Sequence, residues 1–108
     1  MSHHHSNVEV LSKSNMGHVG VCLDCGNYQL SYGNMLLYFN EKSLRRFVAA
    51  LKKVDSSFIF KTPEGDRVLL TTQCQSVIMT LKESELEEVI MMVEEAIISL
   101  EINKVVMQ

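Results

Sequence analysis

No apolar run in these 108 residues is longer than five, the length of Met35–Phe39 and of Val89–Val93. A membrane-spanning helix needs about 20 such residues in succession, so none is expected. The N-terminus lacks a basic stretch followed by an apolar one, so no secretory signal is expected either. Cysteines number three. An odd count without a regular framework argues against a disulfide-built secreted domain. The expected compartment is therefore cytoplasmic and reducing.

Catalytic groupings are also missing. Of four histidines, three (His3, His4, His5) fall in a polar tail, which leaves His18 in the body of the chain. No nucleophile stands with a base and an acid. Ser31-Tyr32-Gly33-Asn34 lacks the pattern of a phosphate-binding loop. A net charge of -3 gives nucleic acid no electrostatic reason to bind the whole chain. Lys42, Arg45, Arg46, Lys52 and Lys53 do form a basic stripe, but without interleaved aromatics. Its ordinary meaning is a solvated helix face; the alternative is contact with an acidic helix.

What is present reads as one globular domain. Apolar residues make up 46% and charged residues 21%, as in an ordinary compact chain with one core. Residues 1–7 read as a disordered polar tail, 8–102 as the domain and 103–108 as a second tail. Short strands are expected at Val8–Leu11, His18–Cys22, Tyr28–Tyr32, Met35–Phe39, Phe58–Lys61, Val68–Thr72 and Ser76–Leu81. Gly33-Asn34 is a two-residue hairpin loop. Met35–Phe39 is apolar on both faces, so it is expected to be a central strand.

Two helices follow strands. Asn40 caps the first, and Phe39 with Leu44 fit a hydrophobic staple. Leu44, Phe47, Val48, Leu51 and Val54 form its apolar stripe. The second runs from about Glu83 to Glu101, with Leu81 and Leu86 in the staple positions and either Lys82 or Ser84 as cap. Sliding the chain by 42 residues lays Met35–Phe39 on Val77–Leu81 and Leu44, Phe47, Val48, Leu51 on Leu86, Val89, Ile90, Val93. The expectation is an α+β fold: an antiparallel sheet of about six to seven short strands, two helices on one face, built as a pseudo-repeat of a hairpin–helix unit.

Two features carry chemistry. Cys22-Leu-Asp-Cys25-Gly26 fits a zinc knuckle, whose tight turn points two thiolates at one metal. Two further ligands are then needed. His18 leaves the same face of the strand as Cys22 but lies about 13 Å away along it. Cys74 sits at the tip of the second hairpin, and a four-cysteine site shared by two chains is a further option. Without metal, the pair is two thiols flanking a β-turn. A redox role is disfavoured because no helix begins at the pair and Asp24 opposes a thiolate. The second feature is the apolar line Met91, Ile98 and Ile102 on the outer side of the second helix, between Glu87, Glu94 and Glu88, Glu95. It marks a second contact, most simply a homodimer.

The segments Cys22-Leu-Asp-Cys25, Tyr28-Gln29-Leu30-Ser31-Tyr32-Gly33-Asn34 and Leu37-Tyr38-Phe39 resemble a family of small uncharacterised bacterial proteins of the Bacteroidota, a domain of unknown function. Arg67–Thr71 and Leu81 to Leu86 are similar to its second half. The resemblance implies no activity. The function expected is a small, non-enzymatic interaction or regulatory module that self-associates, with zinc as its one candidate cofactor. The alternative is a metal-dependent or thiol-handling protein using Cys22 and Cys25.

Overall fold

The computed structural model describes residues 7–53, 59–71 and 78–106. Strands β1 (Val8–Lys13), β2 (Gly17–Cys22), β3 (Tyr28–Tyr32) and β4 (Met35–Phe39) lead into helix α1 (Glu41–Lys52). Strands β5 (Ile59–Thr62), β6 (Gly65–Thr71) and β7 (Ile78–Leu81) lead into helix α2 (Glu83–Val106). The α+β class and the seven antiparallel strands are as the sequence indicates. The strands are divided, however, between a four-stranded meander β1-β2-β3-β4 and a three-stranded meander β5-β6-β7.

Alternation decides which face each strand buries. On β3, Tyr28, Leu30 and Tyr32 are buried and Gln29 and Ser31 are not. Val19 of β2 and Leu37 of β4 stand opposite Leu30, so one apolar layer crosses the sheet. On the second sheet Val68 faces Leu81 and Leu70 faces Met79, all four buried. β4 departs from expectation. It is an edge strand rather than a central one. Its Phe39 is buried, while Leu36 and Tyr38 on the other face are exposed. Two apolar faces therefore did not mean two covered faces.

The Gly33-Asn34 loop joins β3 to β4 with Tyr32 opposite Met35. Gly33 has φ +58 and Asn34 does not have positive φ, the pattern of a type II′ turn with glycine first.

The two helix starts share one half of a capping box, the bond from the cap residue's N–H to the side chain three residues on. The Asn40 side chain accepts from Ser43 N–H at 2.8 Å, and Asn40 N–H donates to Ser43 Oγ at 3.0 Å. At 42 residues on, Lys82 N–H donates to Glu85 Oε1 at 2.8 Å, and Leu86 N–H donates to the Lys82 carbonyl as Leu44 N–H does to that of Asn40. Lys82 thus occupies the cap position, and Ser84 lies inside the helix. The shared pattern extends to burial: Leu44 and Leu51 are in the core, as are Leu86 and Val93. α2 also runs past Glu101, so 103–106, expected as tail, is helical.

α2 is the element on which the packing converges. It touches β1 and β2 of the first sheet, β6 and β7 of the second, and α1. Leu86, Val89, Met92, Val93 and Ala96 are buried. A helix packed on several sides has apolar residues around most of its circumference. α1 lies on β4 and α2, with Leu44, Val48 and Leu51 buried and the Phe47 ring 4.9 Å from that of Phe39. Val54, the last member of the expected stripe, lies outside the described residues.

Candidate functional site

The cysteine turn closes between β2 and β3. Gly26 N–H donates to the Cys22 carbonyl at 2.7 Å, and Cys22 N–H donates to the Asn27 carbonyl at 2.8 Å. Gly26 has φ +77 and open space around the position of a Cβ, so glycine serves the backbone conformation rather than packing. Its N–H is committed to a carbonyl. Cys22 is 2% exposed, whereas Cys25 is on the surface. Neither is in a disulfide.

The chain entering β1 is fastened to this turn. Asn7 accepts from Leu23 N–H through its carbonyl at 2.9 Å, and its side-chain amide donates to Asp24 Oδ1 at 3.3 Å. Val8 then pairs with Cys22 across the β1–β2 ladder. Asn7 and the start of β1 therefore lie beside the turn that holds Leu23 and Asp24. The sequence gives no sign of this contact, because Asn7 reads as the end of a polar tail.

His18 is not drawn to the cysteines. β2 pairs with β3 in unbroken register from Gly17 to Val21, so the bend that would bring His18 towards Cys22 is not there. His18 Nε2 lies 3.2 Å from Gln29 Nε2 instead. Cys74 lies outside the described residues, as do His3, His4 and His5. Among the described residues no three His, Cys, Asp or Glu side chains gather as a metal-binding group.

The second candidate surface is on α2. Met91, Ile98 and Ile102 are 62%, 57% and 56% exposed, and Val105, which the sequence reading did not include, is 71% exposed. At about 100° per residue these four lie along one line of the helix.

The charges beside that line are arranged asymmetrically. On the edge facing α1, Glu94 pairs with Lys52 and Glu101 with Arg45. Arg45 also meets Glu41 at 3.2 Å, and Lys104 meets Glu41 at 2.9 Å. Arg45 and Lys52 of the basic stripe thus pair with the acidic edge of α2. The Lys104 hydrogen bond, then that of Arg45, holds the Glu41 carboxyl below the usual range. On the other edge, Glu88 accepts the Tyr32 hydroxyl at 2.7 Å. That bond lowers the Glu88 pKa, while burial and then Glu88 raise that of Tyr32.

No helix among the described residues is long and apolar enough to cross a membrane. Comparison with curated proteins finds no match, and comparison with solved structures finds none either. A model of the family of unknown function DUF6686 matches residues 4–105, nearly the whole sequence and both halves of the fold. The chain belongs to that family, DUF6686.

Proposed function

We propose that the chain is a small interaction module without catalytic activity, and that it self-associates through α2. The observation that carries this is the line of Met91, Ile98, Ile102 and Val105, exposed on a helix that also packs on both sheets and on α1. Covering such side chains contributes about 1.5–3 kcal/mol each. Methionine adds an adaptable contact.

A second copy of this chain fits better than an unrelated partner, because the charges beside the line are already arranged for it. Glu94 and Glu101 are neutralised by Lys52 and Arg45 of the same chain. An antiparallel two-fold crossing near Ile102 then sets apolar residues on apolar residues and leaves Glu87 and Glu95 at the rim. The test is sedimentation of the wild type against Met91→Glu/Ile98→Glu. A dimer at micromolar concentration that the double variant turns into a monomer supports the reading. A monomeric wild type, or a double variant that associates as before, removes it.

The second reading concerns the cysteine turn. A closed turn with glycine in the positive-φ region after Cys25 favours Cys22 and Cys25 as ligands of a structural zinc ion. Zinc content of the purified chain tests it, and a chain that takes up no zinc rules it out.

A further inference from the structure

We infer that β5 is a contact edge for a second copy of this chain: the β5 strands of two copies pair antiparallel about a two-fold axis at Phe60, joining two three-stranded sheets into one. This surface is separate from the α2 line and does not depend on it.

The internal correspondence points to this edge. Each helix is preceded by three strands in meander order, β2-β3-β4 before α1 and β5-β6-β7 before α2. In the first unit the outer side of β2 is taken by β1, which pairs with it antiparallel. Val19, Gly20 and Cys22 of β2 are buried. β5 holds the corresponding place in the second unit, and among the described residues it ends its sheet. None of its residues is buried, with Ile59 44% and Phe60 49% exposed. Ile59 stands opposite the buried Val68 and so extends the apolar layer of that sheet, while Phe60, opposite Arg67, is on the other face. An edge with a large apolar side chain on each face is a template for one more strand. The other edge strands differ: β1, β4 and β7 each hold a buried residue and pack against a helix.

Strand chemistry then selects the occupant and the register. Hydrogen bonds alternate along an antiparallel ladder, so a residue can face only a residue whose backbone groups point the same way. For β5 against itself, two registers meet this condition and pair three residues, one centred on Phe60 and one on Lys61. Centred on Lys61, two ammonium groups oppose each other. Centred on Phe60, ring faces ring, and each Lys61 lies over Ile59 of the partner, its stem on the apolar side chain and its charge outward. β5 is therefore complementary to itself in one register. Three paired residues per strand make a small contact, so this association is expected at higher concentration than that through α2. Two distinct two-fold contacts on one chain link copies beyond the dimer.

The experiment uses the full chain carrying Met91→Glu/Ile98→Glu, so that the α2 contact takes no part. Phe60→Cys, Lys61→Cys or neither is added. Each chain is oxidised with glutathione disulfide, and linked peptides are mapped by mass spectrometry. Both positions are exposed, so the variants are expected to fold, and circular dichroism checks this. In the inferred register the two residues at 60 face each other at about 4.5–5.5 Å between Cα atoms. The two at 61 are about 8 Å apart, beyond disulfide reach. The expected result is a 60–60 bond in Phe60→Cys and no 61–61 bond in Lys61→Cys. A 61–61 bond without a 60–60 bond would overturn the register, equal yields at both positions would mean random collision, and no bond at either would remove the contact. Sedimentation in the same background gives a second reading: Phe60→Lys should weaken association about tenfold or more, while Phe60→Tyr should keep it. Association that Phe60→Lys leaves unchanged would also overturn the inference.

Discussion

The Ser12 hydroxyl donates to the carbonyl of Met92 at 2.6 Å, in the core between β1 and the middle of α2. Ser12 is the buried polar residue of the described core, and it follows the register shift in β1 between Val10 and Ser12. The bulge turns a serine inward where α2 passes. Ser12→Ala removes the bond without adding bulk and should destabilise by about 0.5–1.5 kcal/mol in urea unfolding. Ser12→Val should cost more, because the added methyl meets a packed interface.

Glycine 17 is expected to tolerate nothing larger. A Cβ there would lie 1.8 Å from the Ser31 carbonyl oxygen, a backbone atom of the paired strand. Gly17→Ala must push β2 from β3 and should cost about 1–3 kcal/mol or more. Gly26→Ala meets no atom within 4 Å but keeps φ +77, so it should cost only about 1 kcal/mol of backbone strain. Paired melting curves check the order.

At the β3–β4 turn the demand is conformational. Gly33 has φ +58, with only the Met16 side chain near at 3.9 Å. Gly33→Val should destabilise by about 1–3 kcal/mol, since a β-branched residue resists positive φ. Chemical denaturation measures this, and a neutral result would mean that the turn relaxes to another type.

Acid should weaken the fold through two carboxylates. Lys104 and Arg45 hold Glu41 below the ordinary 4.5, and Tyr32 does the same for Glu88. Both pKa values are lower in the folded chain than in the unfolded one. Their contribution is therefore present above pH 4.5 and is lost as the pH falls below it. Urea midpoints from pH 7 to pH 3 should drop, and Glu41→Gln/Glu88→Gln should flatten that drop. At the alkaline end the sign reverses. The Tyr32 hydroxyl is raised above its ordinary 10.0 by burial and by Glu88, so its contribution is present below pH 10 and is lost as the pH rises.

The local features were legible in the sequence because they depend on neighbours along the chain. The cap at Asn40, the glycine at 33, the stripe through Leu44, Val48 and Leu51 and the 42-residue correspondence all follow from spacing. The exposed line at Met91, Ile98 and Ile102 was readable for the same reason. The division into two sheets was not, because strand pairing across a helix leaves no local mark. β4 illustrates this: its two apolar faces gave no sign of whether a fifth strand would follow. At the candidate site, Cys22 and Cys25 were visible as a motif. The entry of the chain beside them depends on Asn7 bonding to Leu23 and Asp24, a contact between residues about sixteen positions apart that only the fold discloses.

α2 bears on cooperativity. Among the described residues the two meanders share no ladder, and two such sheets with separate coverings would open independently. One helix supplies the covering of both: it packs on β1 and β2 and on β6 and β7. Displacing it opens the one cluster that holds Val19 and Leu30 together with Val68 and Leu70. Amide exchange in β3 and in β6 should therefore report the same opening free energy as the buried turns of α2.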